Sequence, residues 1–380
     1  MRQNLKMDIS DRTFYSATST KKDWRDVVSE LSCKLEKGSG NLGIIYLSED
    51  LLVSLKNIIK ELKIETSCHN WLGAGGYGVL SNFGEFYGET SATVLLLNLP
   101  EESFKIFSGN ENIGLAIKER ETDWLERAYM PLAITHADPS QPTTMEAIKN
   151  LARETNSYLI GGLTAASAES PHISDQSGKA ISGALLSPET CEILTGLSQG
   201  CSPISETLTI TKSQRNIILE LDGRPAFDVL LDVTGKEFLD NLQKMGGTIF
   251  VAFPIPGSDK ADYTVRNLVG LDPQNKVIAI SENISDGDKL LFCRRDKESA
   301  VKDLYRMSED LKRRIGEKQI RGGIYISCAA RGPNQFPDSA RELDIITETL
   351  GDFPLAGFYA NGEISRDEIY AYTGVLAVFL

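Results

Sequence analysis

Apolar residues recur along this chain in two patterns, short strand-like runs and stripes at helical spacing, and their order predicts the elements. Apolar strands are expected around Ile45, Ile134 and Ile326. Each is followed by an amphipathic helix, then by a second strand that carries a glycine (Gly73, Gly161, Gly357), then by a third apolar strand (Leu95, Leu185, Leu376). The first-to-third separations are 50, 51 and 50 residues, and near-equal spacing marks a repeated unit. Any chain that alternates strands and helices offers such triplets when anchors are chosen freely, so the repeat stands here as an expectation.

The helices have their own signals. Leu51, Leu52, Leu55, Ile58, Ile59 and Leu62 share one face, with Glu49 and Asp50 near the positive end of the helix dipole. Thr143-x-x-Glu146 and Ser339-x-x-Glu342 read as capping boxes, in which side chains satisfy backbone N–H groups left free at a helix start. Gly351 after Leu350 suits the left-handed residue that stops a helix. Outside the repeat, Trp24, Val27, Val28, Leu31 and Leu35 form one stripe, and Val301, Leu304, Tyr305, Leu311 and Ile315 another. Pro225 fits the first turn of a third helix, where its missing N–H costs nothing. Asp262 to Arg295 alternates like successive strands, with turns at Asp272-Pro273 and Asp286-Gly287. The expected fold class is α+β: two related α/β halves built from repeated strand-helix-strand-strand units, with mixed sheets covered by helices.

Length and composition narrow the field. A chain of 380 residues exceeds the roughly 250 to 300 at which one core usually splits, so two domains are expected. Apolar content of 41% with 24% charged residues is that of a folded globular protein. A net charge of −13 repels phosphate backbones, so nucleic acid is not an expected partner. The first ten residues lack the apolar core of an export signal, no run approaches the ~18 residues of a membrane span, and the six cysteines (Cys33, Cys68, Cys191, Cys201, Cys293, Cys328) form no C-x-x-C pair. A cytoplasmic protein with reduced thiols and no membrane partner is the expectation.

Each repeat concentrates small residues near the end of its second strand: G-A-G-G-Y-G at 73 to 78, G-G-L-T-A-A at 161 to 166, and A-G-F-Y-A-N-G-E at 356 to 363. Glycines such as Gly73, Gly75, Gly161 and Gly162 permit close approach of backbone, either to a ligand or to a neighbouring strand. Polar company favours a ligand in the last unit, where Arg331 and Gly332 follow the first strand and Asn361, Gly362 and Glu363 the second. A guanidinium and a carboxylate lining one pocket suit an amino-acid-like zwitterion; the structural alternative is an Arg–Glu ion pair tying two strands. Arg224, in a D-G-R-P turn before a helix, is a second anion-binding candidate. Cys201 and Cys328 are candidate thiolates, against the commoner reading of inert buried cysteines.

Other motifs lack the context they need. Gly73, Gly75 and Gly78 satisfy G-x-G-x-x-G, but Val79 to Gly88 has no helical apolar period to follow it. Three histidines, His69, His136 and His172, are too scattered to predict a metal site. No catalytic arrangement is traceable; Glu363, Cys201 and Cys328 are the nameable candidates for an enzyme, and the balance is against one.

Several segments together resemble the FIST family. They are T-K-K-D-W-R-D-V-V-S-E-L-S-C-K-L from Thr20, N-W-L-G-A-G-G-Y-G from Asn70, G-C-S-P-I from Gly200, L-D-G-R-P-A-F-D-V from Leu221, and G-G-I-Y-I-S-C-A-A-R-G-P, P-L-A-G-F-Y-A-N-G-E-I-S and Y-T-G-V-L-A-V-F-L in the last sixty residues. The resemblance implies a FIST N-terminal domain over 13–222 and a FIST C-terminal domain over 223–380. It also implies a small-ligand-binding sensory role, with output through a separate signalling protein such as a histidine kinase. Some members bind haem and report nitric oxide, which would make His69, His136, His172 or Cys201 axial-ligand candidates. Others occur in F-box proteins, which keeps an adaptor or scaffold role open. No cofactor is otherwise expected.

Overall fold

The computed structural model describes residues 14–35, 38–100, 102–165, 171–173, 179–235, 247–255 and 263–380. Ala166 and Asp262, which figure in the expectations above, lie outside the described residues. The chain divides into two compact units. One holds the residues up to Ser198 with Leu304–Ile369 and Thr373–Leu380; the other holds Gln199–Asp303 with Tyr370–Tyr372.

All three repeats lie in the first unit. Repeat A comprises the strands Leu42–Ser48, Asn70–Gly76 and Ala92–Leu97, repeat B Leu132–Ala137, Tyr158–Leu163 and Ile181–Leu186, and repeat C Gly322–Cys328, Leu355–Ala360 and Thr373–Phe379. In each, the first strand is central, parallel to the second and antiparallel to the third. Parallel neighbours need a crossover, and the helices Leu55–Thr66, Thr144–Thr155 and Glu342–Leu350 supply it. The registers coincide: Ile45 faces Gly73, Thr135 faces Gly161 and Tyr325 faces Gly357. A Cβ on these glycines would lie 1.9, 1.7 and 1.8 Å from the carbonyl oxygen of the facing residue. The repeat therefore carries its glycine because the strands approach too closely for any side chain.

The repeats also exchange their connections in a closed cycle. Between its second and third strands, repeat A forms a hairpin, Gly78–Ser81 with Gly84–Tyr87, that pairs with the second strand of repeat C. Repeat C sends Glu363–Ser365 to the second strand of repeat B, and repeat B sends His172 to bridge Ala74 in the second strand of repeat A. Three equivalent backbone hydrogen bonds close the ring: Tyr77 N to Tyr359 O at 3.0 Å, Asn361 N to Leu163 O at 2.9 Å and Ala165 N to Gly75 O at 3.0 Å. The inner faces pool into one core that includes Ile44, Tyr46, Ile134, Ile160, Ile326 and Phe358. Each fully buried aliphatic or aromatic side chain there contributes about 1.5–3 kcal/mol.

The helix Trp24–Leu35 packs with the helix of repeat A on its outer face. There a 3-10 turn, Glu49–Ser54, precedes the α-helix and all six residues of the predicted stripe are buried. Lys297–Ile315 is also helical, with Leu304 and Leu311 wholly buried. Neither predicted capping box forms. Thr143 makes no cap bond and the Thr144 hydroxyl donates to Asp138 O, while Glu342 opens its helix with its carboxylate turned into the core. Gly351 has the positive φ (+88°) expected of it.

The second unit is antiparallel throughout. Lys289–Arg295, Leu208–Gln214, Ile217–Leu221, Val277–Ile280, Tyr263–Asp272 and Ile249–Pro254 pair in that order, and the last pairs back to the first, closing a small barrel. Phe227 and Leu230 of the helix Ala226–Thr234, with Pro225 at its N-cap, share its core.

Candidate functional site

The carboxyl ends of parallel strands are where ligands usually bind in α/β sheets, and in the first unit three such ends converge. Strand alternation puts Tyr46, His136 and Ile326 at equivalent inward positions, next to the residues facing the three glycines. Tyr46 OH meets His136 Nε2 at 3.1 Å, and the Tyr46 ring stacks on Phe358 with centroids 4.8 Å apart. Further toward the strand ends the equivalent positions turn small and polar: Ser48 and Cys328 end their first strands and Asp138 follows its own, and Gly76 and Ala360 end their second strands and Thr164 follows its own.

This end of the core holds polar atoms that no described residue satisfies. His136 Nδ1, Thr164 Oγ1 and Glu363 Oε1 are buried without a hydrogen-bond partner. Folded proteins leave few such groups, and each one calls for an explanation. Glu363 and His136 both stand opposite Gly162, one on either side, so they share a face with only a glycine between them. Glu363 Oε2 accepts from Thr373 N at 3.1 Å and Thr373 Oγ1 at 2.7 Å. Burial raises the Glu363 pKa to about 8, against the pull of the Thr373 donors, the Arg331 charge and the Cys328 thiol, so the carboxyl is protonated at neutral pH. Burial lowers His136 to about 3, with His172 adding to the effect, and the ring is neutral.

Arg331 is engaged elsewhere. Its Nε and one terminal nitrogen each lie 2.9 Å from Glu342 Oε2, another donates to Ser198 O at 3.2 Å, and the Phe336 ring covers its plane at 4.9 Å. Tyr325 OH and Ser327 Oγ also donate to the Glu342 carboxylate, and Gly332 N donates at 3.1 Å. Arg331 and Glu342 are both wholly buried. Desolvation alone would lower the Arg331 pKa, but the Glu342 charge overrides it and holds the guanidinium ionised. The expected Arg331–Glu363 grip is thus replaced by an Arg331–Glu342 pair, because the turn after Arg331 brings the first residue of the next helix back against it. A second, half-buried acid, Glu85 from the hairpin of repeat A, accepts from Tyr359 OH and Leu343 N, both at 2.8 Å. Burial, then repulsion from Glu342, raises its pKa to about 7.

The other expected residues have plainer places. Gly73 and Gly161 meet facing carbonyls, a Cβ on Gly75 would strike Leu52, one on Gly162 would meet Ala360, Ile326 and Phe358, and one on Gly332 would meet Tyr359. The Gly362 carbonyl accepts from Leu163 N at 2.8 Å, and Asn361 supplies its backbone N–H to the ring. Arg224 is exposed and paired with Asp232 at 2.5 Å. Cys201 is buried in the second unit, its carbonyl accepting from Tyr263 OH. His69 is exposed, and both His172 nitrogens are engaged, by Ser182 Oγ at 2.7 Å and Lys179 O at 3.0 Å. His136 has its Nε2 on Tyr46 and its ring packed near Phe358. Among the described residues no group of three His, Cys, Asp or Glu side chains is placed to hold a metal ion, and no helix is long and apolar enough to cross a membrane. Two surface grooves, of about 850 and 400 Å³, are lined by the helices Trp24–Leu35 and Leu55–Thr66 and by the Phe83 turn and the helix Glu342–Leu350, away from Glu363 and His136.

Residues 41–224 match the family model of the FIST N domain, and residues 226–366 that of the FIST C domain. The chain belongs to the FIST family. FIST domains are generally considered small-ligand sensory domains of signalling proteins. The FIST N match spans repeats A and B and runs on into the barrel unit, and the FIST C match runs from the helix of the barrel unit to Glu363–Ser365, so each contributes to both compact units. Similar proteins include the uncharacterized Rv0628c of Mycobacterium tuberculosis (strain ATCC 25618 / H37Rv) and the uncharacterized Mb0898c of Mycobacterium bovis. Each is 30% identical over 194 residues, 48% of this chain and 50% of the relative. The chain thus spans about half the length of the curated relatives it matches.

Proposed function

We propose that this FIST protein is a small-ligand-binding sensory module whose ligand is seated at the polar end of repeat B, among His136, Thr164 and Glu363. Its bound state passes to a separate signalling protein, for which a histidine kinase is a suitable type. The observation that carries this reading is the gathering of three unpartnered, buried polar atoms where the strand ends converge. A ligand that binds there stabilises the closed ring of repeats, and differential affinity for two arrangements is what a sensor requires. An amino-acid-like ligand gripped by Arg331 and Glu363 would first have to displace Glu342 from Arg331, so repeat B is the better-supported seat.

Native mass spectrometry of freshly purified protein, with thermal-shift screening of a metabolite panel, tests the reading. A bound mass or a saturable rise in Tm that is lost in His136→Phe and in Glu363→Leu supports it. Ligand binding that survives both substitutions would remove the site.

A further inference from the structure

We infer that the ligand of this seat is recognised through a neutral hydrogen-bond acceptor, such as a carbonyl oxygen, and not through a cationic group. The inference rests on the seat proposed above and follows from where its protons lie. Glu363 Oε2 already accepts two hydrogen bonds from Thr373, so the acid proton belongs on Oε1, which meets no oxygen or nitrogen and has only the Cys328 thiol beside the carboxyl. The carboxyl is wholly buried and Arg331, whose charge acts on it, is paired to Glu342, so the neutral acid is the form the surroundings favour.

The same accounting assigns His136. The buried Tyr46 hydroxyl has His136 Nε2 as its hydrogen-bonding partner, and a buried O–H donates where it can. The imidazole proton is then on Nδ1, which is also unpartnered. Two uncharged donors, Glu363 Oε1–H and His136 Nδ1–H, therefore flank Gly162 on one face. An acceptor oxygen satisfies such donors, whereas an ammonium would set donor against donor. The charge of Arg331 is matched by Glu342, so nothing in this arrangement calls for an anion.

The test uses the full chain labelled with ¹⁵N-histidine, with acetone as a neutral acceptor probe and methylammonium as a cationic donor probe. The His136 ring is expected to show the Nδ1–H tautomer, and acetone to shift that resonance saturably while methylammonium leaves it unmoved. Glu363→Gln keeps a donor at this position and is expected to keep the acetone response, whereas His136→Phe loses the reporter and weakens acetone binding about tenfold, as read by its own saturation-transfer signal. A response to methylammonium, an Nε2–H tautomer, or loss of acetone binding in Glu363→Gln overturns the acceptor assignment but leaves the seat standing. Silence of His136 toward both probes overturns the seat itself.

Discussion

Breaking the buried Arg331–Glu342 pair is expected to destabilise the first unit by about 3–5 kcal/mol, because removing one partner strands the other charge in the core. In Arg331→Met the Glu342 carboxylate keeps only neutral donors, Tyr325 OH, Ser327 Oγ and Gly332 N, at a site with no solvent exposure. In Glu342→Gln the guanidinium meets a neutral amide oxygen in place of the carboxylate that now takes both 2.9 Å contacts. Since domains are stable by only ~5–15 kcal/mol, either loss is a large share of the total. The assay is urea unfolding followed by tryptophan fluorescence, which reports this unit selectively: Trp24, Trp71 and Trp124 all belong to it. The double substitution Arg331→Met/Glu342→Leu is expected to cost less than the sum of the singles by at least ~2 kcal/mol, since no charge is left behind. Singles that each cost under ~1 kcal/mol, or strictly additive effects, would refute the claim that the charges depend on each other.

The remaining expectations concern the repeat, the buried acid and the thiols. Gly73→Ala, Gly161→Ala and Gly357→Ala should each cost about 3 kcal/mol or more in urea unfolding, because each new Cβ lands under 2 Å from a facing carbonyl oxygen, while Gly223→Ala, with open space at Cβ but a φ of +76°, should cost only the ~1–2 kcal/mol of a left-handed backbone. Glu363 has a folded pKa of about 8 against an ordinary 4.5, so its contribution is complete below 4.5 and is lost as pH rises through 8. Stability of the wild type should therefore fall relative to Glu363→Gln between about pH 5 and pH 8.5, with Arg331, Cys328 and Thr373 as the groups facing it; parallel curves would show that the acid is not held neutral. Tyr46→Phe leaves His136 Nε2 buried without its donor and should cost about 1–3 kcal/mol, and a neutral outcome would mean the bond is not formed. In native protein only Cys33 is expected to react quickly with a thiol reagent, with all six cysteines reacting in denaturant.

The three-strand repeat was legible in the sequence because its constraint is local and recurrent: a glycine is needed wherever the second strand meets the first at the same register. The helical stripes were legible for the same reason, since burial acts on residues three and four apart. What could not be read was pairing between distant segments. Nothing in the run from Glu363 to Ser365 says that it joins repeat B, about two hundred residues upstream. The Arg331 partner was misread because Glu342, three residues after a serine, has the spacing of a capping box, and spacing does not say which way a carboxylate turns. Nor could the contact between repeats be foreseen: Tyr46 stands 27 residues before Gly73 and His136 stands 25 before Gly161, so only the strand register, Ile45 opposite Gly73 and Thr135 opposite Gly161, makes the two positions equivalent.

The cyclic exchange of connections bears on how the protein is made. Repeat A needs His172 to finish its sheet edge, repeat B needs Glu363–Ser365, and repeat C needs the hairpin of repeat A. The seam between the first two repeats therefore stays open until residues 363–365 have been made, whereas the six strands of the barrel all precede residue 296.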